Sequence, residues 1–247
     1  MKKVSIIIPI YKGEKYIEKN LIIMQNSFLS MFDAVEIIGV VDGKTDDSFN
    51  EASKVKGVTI VGYEENRGKG YALKYGYGFA TGELIIFIDS DMDIHPKLLK
   101  HFFPYLATAD MVIGSKRHPF SKLNYPFIRR VLSNLYYLFC RIVLGVSLRD
   151  TQTGIKLFKR EVLDVILPLV VINGFAFDVE LCFLAQKQGF RVVEAPININ
   201  FQNNGSSICM RSIIKMFFDT LSIRFRYSVL RKYQRLFWQT NFGSGIK

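Results

Sequence analysis

The chain has 247 residues, of which 49% are hydrophobic, and a formal net charge of +11. That much apolar material supports one sizeable core and excludes a disordered polyelectrolyte, while the positive balance asks for an anionic partner: nucleic acid, a phosphorylated substrate or an acidic membrane surface. Cys140, Cys182 and Cys209 lie far apart with no CxxC or Cys/His cluster, which excludes zinc and disulfide frameworks and reads as packed thiols in a reducing compartment.

The opening MKKVSIIIPIY has the charged start of a secretion signal. Its apolar run is too short, contains Pro9 and meets Lys12 without a small-residue cleavage site, so it reads as a buried strand. Further apolar runs at residues 35–41, 58–61, 84–88 and 111–113 alternate with helix-like segments over 14–28, 46–53, 70–80 and 96–106. This alternation predicts an α/β fold, a mostly parallel sheet flanked by crossover helices. Ligands of such sheets sit beyond the carboxyl ends of the strands. The polar residues collect there: Tyr11 to Glu14, Asp42 to Asp47, Glu64 to Gly70 and Asp89 to Asp93. The second half predicts a long helix over 126–146, a polar motif at 150–154, a helix over 177–188 and a strand over 192–196. Arg141 interrupts the longest nearly uncharged stretch, so no segment spans a membrane convincingly, and the protein is expected to be soluble or membrane-surface-bound.

The run ELIIFIDSDMDIHP delivers three carboxylates on alternate residues, Asp89, Asp91 and Asp93, at the exit of a buried strand. Hard cations such as Mg²⁺ or Mn²⁺ take carboxylate oxygens and share them with a bound diphosphate. The same residues also fit a solvated acidic turn in which Asp93 caps a helix starting at Pro96.

With these exits in view, the chain resembles glycosyltransferase family 2, the inverting nucleotide-sugar transferases of GT-A (Rossmann-like) fold. VSIIIPIYKGE is similar to that family's PxYNE turn through Pro9, Tyr11 and Glu14, with Gly13 where Asn is usual. VVDGKTDDS resembles VDDGSxDxT, with Val41 and Lys44 as departures, and ENRGKGYA resembles NxGKGxA. The resemblance implies a nucleotide-sugar site in which Tyr11 edges the base, Asp42 accepts from the base imide, and Lys69, between two glycines, approaches the diphosphate. Asp89, Asp91 and Asp93 would then hold Mg²⁺ or Mn²⁺.

GSKRHP, the Arg129–Arg130 pair ahead of Ser133, DTQTGIKLFKREV and FDVEL resemble the polyprenyl-phosphate hexosyltransferases, particularly dolichyl-phosphate glucosyltransferases and their bacterial relatives. This implies inverting transfer of a hexose from UDP-glucose, or secondly GDP-mannose, to a lipid phosphate held by Lys116, Arg117, Arg129, Arg130 and Ser133. Asp91, Asp150 and Asp178 are the expected catalytic acids, with Asp150, Asp178 and Glu180 as candidates for sugar recognition or for positioning basic residues. At residues 204–207, NGSS stands where relatives often carry a basic residue. A lipid phosphate has a second pKa of about 6, so it is largely ionised near neutral pH and needs positive charge more than a base.

Residues 1–205 are expected to form the catalytic domain, 206–238 an amphipathic basic segment and 239–247 a flexible tail. The stretch 211–235 sets seven basic residues against Asp219 among many apolar ones. It reads as an interfacial helix pair, broken near Ser222, on an anionic membrane at its cytoplasmic face; a helix packed on the domain with a solvated basic face is the alternative. Two rival functions are a family 2 transferase extending a saccharide, which needs a carboxylate base, and a basic nucleic-acid-binding module, against which the acidic strand exits argue.

Overall fold

The computed structural model describes residues 2–124, 127–200, 210–231 and 233. Its centre is a seven-stranded sheet in the order β3-β2-β1-β4-β7-β5-β8. The strands are β1 (Val4–Ile10), β2 (Val35–Asp42), β3 (Thr59–Tyr63), β4 (Leu84–Ile88), β5 (Met111–Ser115), β7 (Ile155–Lys159) and β8 (Val192–Pro196). Strands β1 and β4, and β2 from Ile37 onward, are apolar runs buried on both faces or nearly so, as a sheet covered by helices requires, while β3 at the edge is half-buried. Two small strands, β6 (Lys122–Asn124) and β9 (Asn198–Asn200), pair apart from it.

Helices α1 (Ile17–Leu29), α2 (Ser48–Ser53) and α3 (Lys69–Tyr77) are the crossovers of the parallel half. The second half supplies α4 (Phe127–Leu144), α5 (Arg160–Ile166), α6 (Phe177–Lys187) and α7 (Met210–Ser228). One apolar layer packs Leu21, Met24 and Phe28 of α1 against Ile6, Ile8 and Ile86, and the other packs Leu73 of α3 and Val179 and Phe183 of α6 against Ile7, Ile85 and Phe87. The strand order reverses between β1 and β4, and that switch point opens the crevice at their carboxyl ends.

Four expectations are corrected. Strand β7, absent from the apolar-run pattern because Lys156 and Lys159 interrupt it, lies antiparallel between β4 and β5. The helix expected over 96–106 is two 3-10 turns, Pro96–His101 and Phe103–Ala107, because Pro104 lacks the N–H a continuous helix needs. The first turn is capped by His95, whose Nδ1 accepts from Lys97 N–H at 3.2 Å, and not by Asp93. Helix α7 runs through Ser222 to Ser228 without the expected break. Residues 204–207 and the expected tail 239–247 lie outside the described residues.

At the opposite end of the sheet from the crevice, Glu36 ties β1, β2 and the turn before β4 together. Its carboxylate accepts from Ser5 Oγ, from the N–H and hydroxyl of Thr81 and from Gly82 N–H, with Lys3 3.0 Å away. Burial alone would raise its pKa, but these donors overcome it and hold the group at about 2, against an ordinary 4.5. A depressed carboxylate contributes stability above its unfolded pKa and loses it as pH falls through the folded one. Glu36→Gln should therefore cost about 2–3 kcal/mol at pH 7, with the gap to wild type closing between about pH 4.5 and pH 2. Urea unfolding across that range measures it; a pH-independent gap would reject the linkage.

Candidate active site

Four strand exits build one wall of the crevice. At the end of β2, Asp42 is 3% exposed. Its oxygens accept from Tyr63 hydroxyl at 2.8 Å, Asn66 Nδ2 at 3.1 Å, Arg67 N–H at 2.8 Å and Gly68 N–H at 3.0 Å. These four donors fill the acceptor capacity of a carboxylate. The expected bond to a base imide therefore has no free lone pair here; Asp42 instead fixes the loop that carries Lys69 into the crevice. Tyr11 remains an exposed ring beside the ammonium of Lys12, a face a planar base can stack on. Pro9 is half-buried in β1, and Glu14 accepts from Asp47 N–H at 3.2 Å while Gly13 N–H donates to Ser48 Oγ at 2.7 Å, stitching the β1 and β2 exits together.

The loop of residues 66–70 is clamped from the other side by residue 173. Gly70 N–H donates to the Asn173 carbonyl at 2.7 Å, and a Cβ on Gly70 would lie 2.5 Å from the Phe177 ring. Gly68 adopts φ +95°, open to glycine and costly for other residues. Lys69 thereby starts α3 with its ammonium 2.6 Å from Asp89 Oδ1 and 3.5 Å from Asp178 Oδ2. Burial works against its charge, yet Asp178 and Asp89 push its pKa upward, so it stays cationic.

At the β4 exit, Asp89 N–H donates to the Gly154 carbonyl at 3.0 Å. A Cβ at Gly154 would fall 1.9 Å from Asp89 Oδ2, so only glycine admits the carboxylate. Asp91 Oδ1 accepts from Asp93 N–H at 3.0 Å across Met92, a non-glycine residue at φ 63°. Such strain persists where surrounding contacts impose it. Tyr16, hydrogen-bonded to Ser90, and Asn20, whose Nδ2 donates to the Ser90 carbonyl at 2.8 Å, hold this turn from α1; no sequence motif marked either residue. Burial first, then the charges of Asp89 and Asp93, raise the Asp91 pKa to about 7.

Among the described residues, no three Asp, Glu, His or Cys side chains gather closely enough to enclose an ion. The expected three-carboxylate set Asp89, Asp91 and Asp93 is thus not assembled as a cage. The donor set still fits a hard cation: crowded, desolvated carboxylate charge is what a divalent ion relieves, and Mg²⁺ uses one or two carboxylates and completes its shell with phosphate and water oxygens.

Asp178, in the first turn of α6, is clasped by Lys156 at 2.6 Å as well as by Lys69. Burial would raise its pKa, but the two lysines hold it below the ordinary carboxylate range. Lys156 also donates to the Thr153 carbonyl at 2.6 Å. Glu180, two residues on and so on the other side of the helix, faces away from the crevice: it accepts from Val171 and Ile172 N–H and bonds Tyr233 and Arg226, so it is a tie between α6 and α7 and not a sugar contact.

The facing wall is cationic. Asp150, also pulled below its ordinary pKa against the effect of burial by Lys116 and Thr153, accepts from Lys116 N–H at 2.9 Å and Thr153 hydroxyl at 2.7 Å, with Lys116 Nζ at 3.6 Å. A cavity of about 440 Å³ is lined by Lys116, Arg117, Ser121, Leu123, Arg130 and Asn134. Three of the expected acceptor residues thus meet. Arg117 is largely committed: it donates to the Ser133 carbonyl and hydroxyl, to Asn134 and to the Arg149 carbonyl, and stacks on Tyr137. Ser133 is therefore a brace for Arg117. Arg129 lies in α4, its side chain outside the described residues.

Known proteins are similar to this chain in sequence and in fold. The family described as Glycosyl transferase family 2 matches residues 5–167. The chain is 28% identical to a dolichyl-phosphate beta-glucosyltransferase of Dictyostelium discoideum, over 90% of this chain and 74% of that one. It is 28% identical to the Homo sapiens protein of the same name, over 92% and 76%. An undecaprenyl-phosphate mannosyltransferase of Micrococcus luteus is 31% identical over 58% of this chain and 60% of its own. In fold, glucosyl-3-phosphoglycerate synthase of Mycobacterium tuberculosis, crystallised with Mn²⁺, UDP and phosphoglyceric acid, superposes with a TM-score of 0.69 at 20% identity, over 91% of this chain and 78% of that one. With its mostly parallel GT-A sheet and a family match spanning two thirds of its length, the chain belongs to glycosyltransferase family 2.

Proposed function

We propose that this transferase moves a hexose, with inversion, from a nucleotide diphosphate sugar to a polyprenyl phosphate, with UDP-glucose the first candidate donor and GDP-mannose the second. The observation that carries this reading is the pairing of two unlike walls: Lys69 among acids on one side, and a cationic cavity of Lys116, Arg117 and Arg130 on the other. The names of the relatives support a lipid-phosphate acceptor and a transferred glucose or mannose.

In this reading Tyr11 stacks on the base and Lys69 meets the diphosphate. Lys116 and Arg130 hold the acceptor phosphate, one oxygen of which attacks the anomeric carbon from the face opposite the diphosphate. The bond from that carbon to the departing oxygen breaks with its electron pair going to the nucleoside diphosphate, and configuration inverts. Asp89 and Asp91 would hold Mg²⁺ or Mn²⁺, which supplies Lewis-acid stabilisation of the leaving group when bound. A hydroxyl acceptor would need a carboxylate base, and Asp150 and Asp178 are poor ones: each is held ionised by lysines and committed to hydrogen bonds. A phosphate, already ionised, avoids that need. Asp150 and Asp178 then position Lys116 and Lys69.

The membrane partner has a surface to meet. Helices α4 and α7 pack together through Phe139 on Phe217 and a Tyr136–Thr220 hydrogen bond of 2.7 Å. Both leave apolar stripes exposed, Leu135, Leu138 and Ile142 on α4 and Ile214, Phe218 and Phe225 on α7, with Arg130, Arg141, Lys215 and Arg224 also exposed. No helix among the described residues is long and apolar enough to cross a membrane. Apolar stripes with basic flanks suit the interface of an anionic bilayer, and Arg130 belongs both to α4 and to the cavity, which would bring a lipid phosphate to the site.

Three experiments test this. Asp91→Ala should abolish lipid-product formation and remove the cation-dependent part of UDP or GDP binding; full turnover in excess chelator would reject the metal assignment. Arg130→Ala should raise the apparent KM for polyprenyl phosphate by about tenfold or more, the weight of one charge-assisted hydrogen bond, and leave nucleotide binding by calorimetry unchanged. Loss of nucleotide binding with an unchanged acceptor KM would assign that arginine to the donor. For the membrane, Phe218→Glu with Phe225→Glu should cut sedimentation with anionic vesicles by about tenfold or more while melting temperature holds. Undiminished vesicle binding would move the membrane contact elsewhere.

A further inference from the structure

Lys156 meets the acidic wall from behind, through Asp178. It sits on β7 and is 1% exposed, far deeper than lysines are found unless paired. Its ammonium reaches Asp178 Oδ1 and the Thr153 carbonyl, each at 2.6 Å. Asp178 turns its other oxygen to Lys69 at 3.5 Å, and Lys69 reaches Asp89 at 2.6 Å. The four charges alternate in a row: Lys156, Asp178, Lys69, Asp89. Without the innermost cation, Asp178 would keep Lys69 as its single charged partner in this row, and a buried carboxylate draws its remaining counter-ion strongly. Lys69 would be pulled inward, away from Asp89 and from an incoming diphosphate.

We propose that Lys156 is a positioning residue for the donor: by occupying one oxygen of Asp178, it limits the hold of that acid on Lys69 and keeps the Lys69 ammonium at the crevice for the diphosphate. This rests on the reading of the donor as a nucleotide diphosphate sugar. A buried ion pair that served stability alone would predict a lower melting temperature and nothing at the nucleotide.

The test is calorimetry of UDP and of GDP, each with Mn²⁺, on the full chain, with thermal unfolding alongside. Lys156→Met should weaken nucleoside diphosphate binding by about tenfold or more while the apparent KM for polyprenyl phosphate stays as in wild type. Asp178→Asn removes the inward pull on Lys69, so Lys156→Met should cause no loss in that background, because the lysine acts through the acid. A folded Lys156→Met protein with wild-type nucleotide affinity overturns the proposal, as does a full additional loss on top of Asp178→Asn. If the single variant does not fold, Asp178→Asn and the double variant decide: equal affinities support the role, and a weaker affinity in the double variant overturns it. Wild-type protein that binds neither UDP nor GDP would remove the donor reading itself, and this inference with it.

Discussion

The site depends on β7 entering the sheet against the direction of its neighbours. Because it runs antiparallel between β4 and β5, its amino-terminal approach arrives at their carboxyl ends. A parallel strand would have delivered that segment to the other edge of the sheet. The approach, residues 150–154, therefore touches both walls: the Gly154 carbonyl takes Asp89 N–H on the acidic side, and Asp150 takes Lys116 N–H on the cationic side. Thr153 does both, its carbonyl to Lys156 and its hydroxyl to Asp150. One short segment thus sets the distance between the two walls.

The two ends of the sheet divide the work. At the amino end Glu36 collects donors from two chain segments and is held deep in its ionised form, a stabilising use of charge far from the chemistry. At the carboxyl end charges are crowded and Met92 is strained, and Asp91 is pushed towards neutrality. Concentrating desolvated charge at one end destabilises locally, and a binding site needs that, because a bound ligand then relieves it. Asp42 and Arg117 show the intermediate case. Both were expected to touch substrate, and both are committed to the loops and helix that carry residues which can.

The parallel half was legible because its strands are largely apolar runs with their polar residues, such as Ser5 and Glu36, near the start, and their exits carry the polar motifs of the family. Strand β7 was not, since Lys156 and Lys159 break its pattern and the burial of Lys156 makes sense only with Asp178, 22 residues later and on a different element. The commitments of Asp42 and Arg117 were illegible for a different reason. Their partners include backbone groups, Arg67 and Gly68 N–H and the Ser133 and Arg149 carbonyls, and backbone groups carry no residue signature. The cationic cavity, in contrast, was read from residue types because side-chain charge itself forms it. The residues bracing the acidic turn, Tyr16 and Asn20, fall between these cases: ordinary helix residues whose role appears only when α1 is laid beside Ser90.

In the proposed reaction two phosphate groups must approach one sugar carbon from opposite faces. At an effective dielectric constant of 20, like unit charges about 6 Å apart repel by about 3 kcal/mol, and multiply charged phosphates by several times that. Cations free to swing would relieve this only after reorganising, which raises the barrier. Here they are already fixed by acids: Lys69 by Asp89 and Asp178, Lys116 by Asp150. Asp150 and Asp178 are also held ionised by their lysines, so they do not compete as proton acceptors and serve as anchors. The alternation keeps the empty site near neutrality, which lowers the cost of burying so many charges, and still leaves a positive group on each wall. A site built this way suits a nucleophile that arrives already deprotonated, and it gives part of the net charge of the chain a use at the site itself.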